Sequence, residues 1–257
     1  MSKKRAFVRY SKQGKIVPGS LILTSGSYPN GPSTWKEVSA DLCCTPSSNC
    51  DSCVTLLALP DEVGLYGFTL ETRNNGGPNL TGTIYWDTNQ QESFSLPADS
   101  NNYDFEYEYN DGLVHQVRLC VDNPSQIQDF ELGFGPGITV GLTNASALNG
   151  INEWDSDEMN IYALDLTGLS SMDELYHCCS LLTHINITGC TNLDSVDLGD
   201  NSLTIESVDH VLITLDNNGL SNGYVYLIGS SNGVPTALGL AAKTSLEGKG
   251  WTVDVNP

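Results

Sequence analysis

The chain has 257 residues, 11 of them basic and 31 acidic, for a formal net charge of −20, and 39% of its residues are hydrophobic. That length and apolar content allow two modest domains or one large one with a real core. The charge excludes nucleic acid or an anionic membrane as the partner of the bulk of the chain. Charged residues are sparse at 16%, and the Asn, Gly, Ser and Thr between them favour short strands and turns over long surface helices.

The basic residues are unevenly placed. Lys3, Lys4, Arg5, Arg9, Lys12 and Lys15 open the chain, no acidic residue precedes Glu37, and the other five basic residues face all 31 acids. A short cationic arm therefore precedes a large acidic body, and the arm reads as an attachment device. Arg9 and Lys12 interrupt the apolar run that a secretion signal needs. No stretch approaches the roughly 20 apolar residues of a membrane span. Folding in the cytosol is expected, with reduced cysteines.

In the arm, Ala6-Phe7-Val8-Arg9-Tyr10, Ser20-Leu21-Ile22-Leu23-Thr24 and Trp35-Lys36-Glu37-Val38 read as strands. Ser11-Lys12-Gln13-Gly14, Pro18-Gly19 and the Gly/Pro/Ser-rich stretch 26–34 read as turn and loop. So few apolar groups bury little surface alone, so the arm is expected to be extended and to gain order on a partner's sheet edge or groove. Arg5, Phe7, Arg9, Tyr10, Lys12, Lys15, Leu21 and Trp35 are the expected partner-binding residues, with the aromatics as anchors.

Arg5-Ala6-Phe7-Val8-Arg9-Tyr10, Gly14-Lys15-Ile16-Val17-Pro18-Gly19-Ser20-Leu21, Trp35-Lys36-Glu37-Val38 and Cys43-Cys44 resemble a leader found on virion proteins of Bacteroidota phages, including crAss-like phages. The resemblance covers about the first 44 residues. It implies a shared docking tag, carried by otherwise different fibre or capsid-associated proteins, with capsid, portal or tail subunits as partners and many copies per particle.

Cys43, Cys44, Cys50 and Cys53 form a compact cluster. Structural zinc sites separate their cysteine pairs by a longer finger, so no metal is expected and reduced, half-buried thiols are, with a disulfide formed after lysis as the alternative.

Residues 54–150 read as an antiparallel β-sandwich. Gly67 to Arg73 and Leu80 to Trp86 are strands either side of a strong turn at Asn74-Asn75-Gly76-Gly77-Pro78. Ser93 to Leu96 is a short strand. Phe105, Tyr107 and Tyr109 alternate with Asp104, Glu106 and Glu108, as a half-buried strand with an acidic outer face would. Val117, Leu119 and Val121 alternate likewise. Gly82-Thr83-Ile84-Tyr85-Trp86-Asp87, Tyr107-Glu108-Tyr109 and Val117-Arg118-Leu119 resemble a polycystic-kidney-disease-type β domain, without the Gly-Asp-Gly that usually follows. That resemblance implies a sandwich.

Residues 151–257 carry an internal repeat. Leu182-xx-Ile185-x-Ile187-xx-Cys190 and Leu193-xx-Val196-x-Leu198-xx-Asn201-x-Leu203 fit the leucine-rich pattern, after a less regular copy at Ile161-xx-Leu164-x-Leu166-xx-Leu169. The apolar pair of each copy is expected to point inward from a short strand, with the Asn or Cys bonding backbone at the bend. So few copies need capping from neighbours. Exposed residues such as Tyr162 and His184 would line a reading face. Ile205 to Leu215 is a helix stopped at Asn217-Asn218-Gly219; Tyr224 to Ile228 is a strand; Pro235 opens a second helix containing Leu238, Ala242 and Leu246; Trp251 to Val255 is the last strand. The run from Ser221-Asn222-Gly223 to Trp251-Thr252-Val253 is similar to the terminal unit of leucine-rich proteins of the same bacteria and their phages.

No phosphate loop, nucleophile elbow or zinc-protease motif is present in the sequence. His115, His177, His184 and His210 stand in no catalytic motif, and acid pairs such as Asp155/Asp157 and Asp197/Asp200 lack the context of a calcium loop or a glycosidase. The expectation is a non-enzymatic chain without cofactor, mainly β with a C-terminal α/β part. It comprises a docking arm (1–53), a sandwich (54–150) and a short leucine-rich-repeat-like solenoid with a helical cap (151–257). Its expected function is a structural component of a virion, assembled in the host cytoplasm. A tail- or portal-associated receptor or glycan binder, or an adhesin outside the particle, is the alternative.

Overall fold

The computed structural model describes residues 53–257, apart from 60–63, 74, 88, 99–101, 110–112, 133–137, 144 and 157–160, and upstream the strand backbone at 5–9, 22–24 and 35–39. It is mainly β, with several sheets and two helices.

The first strands, β1 (Arg5–Arg9), β2 (Ile22–Thr24) and β3 (Trp35–Ser39), fall where the sequence pattern places them. Their pairing corrects the expectation of an extended arm. β1 lies between the other two, antiparallel to both, with Phe7 opposite Ile22 and Arg9 opposite Trp35. The physical reason is that β2 and β3 satisfy the edge N–H and C=O groups that β1 would otherwise offer to a partner.

Next come β4 (Cys53–Leu59), β5 (Leu65–Thr72), β6 (Leu80–Asp87), β7 (Gln90–Leu96), β8 (Asn102–Glu108), β9 (His115–Val121), β10 (Ile127–Glu131) and β11 (Ile138–Thr143), all in antiparallel pairs with one another. They divide between two sheets, β10-β5-β8 and β11-β4-β9-β6-β7. Alternation sets the inner faces: Leu80, Ile84 and Trp86 on β6, Val117, Leu119 and Val121 on β9. Aromatic rings join the layers, Phe68 with Trp86 at 5.7 Å and Phe94 with Phe105 at 5.2 Å. Cys53 and Cys120 stand opposite each other on β4 and β9 and form a disulfide. This corrects the expectation of reduced thiols: adjacent strands bring the pair within bonding reach. Cys43, Cys44 and Cys50 lie outside the described residues.

Downstream, each strand shrinks to three residues: β12 (Glu153–Asp155), β13 (Ala163–Asp165), β14 (Glu174–Tyr176), β15 (His184–Asn186) and β16 (Ser195–Asp197). After helix α1 (Ile205–Asn218) come β17 (Tyr224–Tyr226), helix α2 (Ala237–Gly248) and β18 (Thr252–Asp254). These strands continue both sheets in parallel. Asp129 of β10 pairs with Glu153 of β12, and Leu142 of β11 with Leu164 of β13. The sheets therefore run through the boundary expected between residues 150 and 151.

The repeat winds differently from the leucine-rich expectation. Consecutive units do not neighbour each other: β12, β14 and β16 lie in one sheet, β13 and β15 in the other. Glu153 faces Glu174, Ala163 faces His184 and Glu174 faces Ser195, an offset of 21 residues each time. One circuit thus takes two units. Each unit turns two apolar groups inward across a shared core, for example Leu164 with Leu166 and Val196 with Leu198.

The corners are built by side chains. Asn201 Nδ2 donates to the carbonyls of His177 at 2.6 Å, Leu198 at 3.1 Å and Gly199 at 3.2 Å; Cys190 Sγ donates to Leu166 O at 3.2 Å. Asn232 Nδ2 does the same for Leu198 O and Leu227 O. These are the inward Asn and Cys of the pattern. Asp165, Asn186 and Asp197 each accept from the N–H two residues on. The left-handed residue each corner needs is Gly168, Cys179, Gly189 and Asp200 in turn, with φ of 86°, 61°, 85° and 48°.

Helix α1 takes the place of the next strand beside β15. The Ile187 N–H donates to His210 Nε2 at 3.2 Å, and burial lowers the His210 pKa, which keeps that nitrogen an acceptor. Thr204 caps the helix; Gly219, at φ 77°, ends it where the sequence predicts. In α2, Thr236 is the cap; Ala242 and Leu246 are buried and Leu238 is 71% exposed. Gly239 holds the inward place instead. On the last strand, Lys243 Nζ donates to the Val253 carbonyl at 2.9 Å.

Candidate interaction surface

The parallel part of the eight-stranded sheet, which ends at β18, shows one inward residue per strand and two outward ones. Register stacks the outward ones into columns. The first runs Asp129, Glu153, Glu174, Ser195, Tyr224, Thr252; the second runs Asp155, Tyr176, Asp197, Tyr226, Asp254. Acids crowd the β10–β14 end, and tyrosines interleave with acids toward β18. The Tyr224 and Tyr226 rings are stacked, 12° from parallel with centroids 6.5 Å apart, and Tyr176 Oη lies 3.1 Å from Ser195 Oγ.

The electrostatics follow from this crowding. Burial pushes the Asp129 carboxyl up to about 7; the Phe130 N–H acts against it, and the charges of Glu153, Asp155 and Glu131 add to the rise. Burial first, then Glu174, Asp155, Glu71 and Asp173, raise Glu153. Burial raises Glu71. Burial, followed by Asp197 and Asp254, raises the Tyr224 phenol. A flat face of carboxylates and phenol rings can bind cations by charge-assisted hydrogen bonds and cation–π contact.

Of the expected arm residues, Arg5, Phe7 and Arg9 occupy alternate positions of β1 and Trp35 opens β3. Tyr10, Lys12, Lys15 and Leu21 lie outside the described residues. Tyr162, expected on an exposed reading face, is 8% exposed: it sits beside Ile161, where the chain enters the core, and its carbonyl receives the N–H groups of Thr183 and His184. His184 is exposed. His177 is buried, with Nδ1 2.8 Å from Ser156 Oγ, which in turn accepts from Trp154 Nε1 at 3.0 Å. His115 stacks on Tyr109 with centroids 3.8 Å apart. Cys178 and Cys179 are joined to each other at the corner after β14, a second departure from the expected reduced thiols.

Among the described residues no group of three or more His, Cys, Asp or Glu is placed to hold a metal ion, and no helix is long and apolar enough to cross a membrane. Comparison with protein-family models, with curated proteins and with solved structures finds no match. The columned face was not anticipated from sequence. Its signal was there, as carboxylates and tyrosines on either side of each inward residue: Glu153/Asp155, Glu174/Tyr176, Ser195/Asp197, Tyr224/Tyr226. Seeing it requires knowing that alternate units share a sheet.

Proposed function

We propose that the chain is a structural component of a phage virion, of the capsid-associated auxiliary or head-fibre type, attached through its basic amino-terminal unit. In this reading the body is an antiparallel β-sandwich that passes into a short leucine-rich-repeat-like solenoid, displayed outward. One observation carries it. Six of the eleven basic residues precede residue 16, in a segment whose strands β1, β2 and β3 form a sheet of their own, while the two larger sheets belong to the acidic remainder. A unit of opposite charge and separate strand pairing suits a docking element, and the leader resemblance gives the class of partner: capsid, portal or tail subunits.

The test is incorporation. A chain lacking residues 1–39 should keep the circular dichroism of the body and be missing from purified particles, in which mass spectrometry finds the full chain. Truncated chain recovered in particles would end the proposal. The Cys53–Cys120 and Cys178–Cys179 bonds favour residence outside a reducing cytosol, which suits both a released particle and an adhesin outside it. Purified particles devoid of the full chain would favour the adhesin.

A further inference from the structure

The two disulfides differ in what they can do. Cys53–Cys120 spans 67 residues and joins two strands, and Cys53 is buried. The entropy that a cross-link removes from the unfolded chain grows with the loop it closes. Cys178–Cys179 joins neighbours in sequence and closes no such loop, so it adds little to global stability by that route. It sits instead at the corner after β14, and among the described cysteines Cys179 alone is exposed. Cys190 is no competitor for thiol chemistry: burial pushes its thiol up to about 12, and it donates to Leu166 O. A bond between adjacent cysteines closes a small ring through the backbone and restricts the torsions of both residues. Cys179 has φ 61°, in the left-handed region, where the corners at 168 and 189 use glycine. In that conformation its N–H donates to Gly199 O at 3.1 Å. Just before it, the His177 N–H donates to Asp197 O at 2.9 Å and the His177 carbonyl accepts from Asn201 Nδ2. The corner thus ties the circuit of β14 to that of β16.

We propose that Cys178–Cys179 is a thiol-exchange site, opened by small thiols of the glutathione class and closed by their disulfides, so that the corner is loose in a reducing compartment and fixed outside it. A small thiolate attacks the exposed Cys179 sulfur, the bond between the cysteines breaks, and Cys178 leaves as a thiolate that takes a proton from solvent. A second small thiolate attacks the outer sulfur of the mixed disulfide, frees Cys179 as a thiol after protonation, and leaves as a small disulfide. Two electrons and two protons pass to the protein, and two small thiols become one disulfide. The reverse sequence, with that disulfide as oxidant, closes the ring. Once the ring is open, nothing holds Cys179 in a conformation its side chain disfavours, and its bond to Gly199 O is the first to weaken. The inference stands apart from the virion reading: it applies to any chain that folds in a reducing compartment and then leaves it.

The full chain, equilibrated in graded mixtures of reduced and oxidised glutathione, quenched by alkylation, cleaved at acidic residues and mapped by mass spectrometry, tests this. The Cys178–Cys179 pair should open at a reduced-to-oxidised ratio about tenfold or more below the one that opens Cys53–Cys120. At that ratio the urea midpoint should hold, while amide hydrogen exchange over residues 177–181 speeds up severalfold. Cys178→Ser with Cys179→Gly keeps a left-handed corner without the bond, and its amide exchange should ignore glutathione. Thiols at 178 and 179 that alkylate even in oxidised glutathione would overturn the inference. So would a pair that opens only together with Cys53–Cys120, or opening that leaves amide exchange at the corner unchanged. A double variant that still responds to glutathione would place the switch elsewhere and overturn it as well.

Discussion

The antiparallel strands from Cys53 to Thr143 and the three-residue strands from Glu153 onward share two sheets and one core, yet they are held by different means. Upstream, strands of five to eight residues pair over long registers, bury aromatic rings between layers, and are tied by Cys53–Cys120. Downstream, each strand gives its sheet a single inward residue, such as Trp154, Leu175 or Val196. What long pairing does upstream is done downstream at the corners, where Asn201, Asn232 and Cys190 tie one circuit to the preceding one. The lesson is that a stack of very short strands is specified by its bends more than by its rungs.

The largest effect should come at the join. Trp154 is fully buried and meets Phe130 edge-on at 5.3 Å, across the point where antiparallel pairing gives way to parallel. Trp154→Ala should cost about 3–5 kcal/mol. Because the sheets are continuous, circular dichroism and tyrosine fluorescence should report one coincident urea transition. Two separated transitions would show that the regions fold apart. Next, Cys53→Ser should cost roughly 2–4 kcal/mol, read from urea unfolding, by releasing a long loop. A similar loss in the wild-type chain under reducing agent would attribute it to the disulfide.

A matched pair sharpens the comparison. Asn201→Ala removes donors from three carbonyls in a dry corner and should cost about 1–3 kcal/mol. Asn123→Ala removes two bonds of a wetter upstream turn, to Asn79 O and from the Thr81 N–H, and should cost about 0.5–1 kcal/mol. Equal losses would refute the contrast between corners and rungs. The last effect concerns Asp129. Its folded carboxyl is held up to about 7, above the ordinary 3.8, so the fold prefers the protonated form. The stability it contributes is complete below the ordinary carboxylate range and is lost as pH rises through about 7. Asp129→Asn should match the parent near pH 4 and exceed it by about 1–2 kcal/mol at pH 8, the shift being discounted for part exposure. Equal stability at both pH values would show that the crowding costs nothing.

The sequence carried much of this arrangement, and its failures have physical causes. Period-two alternation marked β6, β8 and β9, and the cap at Gly219 marked the end of α1. The β4 strand is a continuous apolar run, buried from Cys53 to Ala58, and shows no alternation to read. Its bond to Cys120 spans 67 residues, a separation that no local spacing signals. The repeat was legible through Ile187, Cys190, Leu198 and Asn201, because inward position and corner chemistry are local. Its assignment to two alternating sheets was not, because ten or eleven residues look alike whether the next unit lands beside or opposite the last. The columns of the candidate face depend on that assignment. The arm strands were visible too, but a strand pattern does not name its partner, and theirs proved to be one another.

Parallel rungs of equal width have no intrinsic last member; β18 ends its sheet among the described strands, and an end strand is where a further strand would add. Lys243 reaches across from α2 and occupies the Val253 oxygen, putting a charged amine where an incoming backbone would otherwise bond. That one amine therefore works against edge-to-edge addition at the end of the stack.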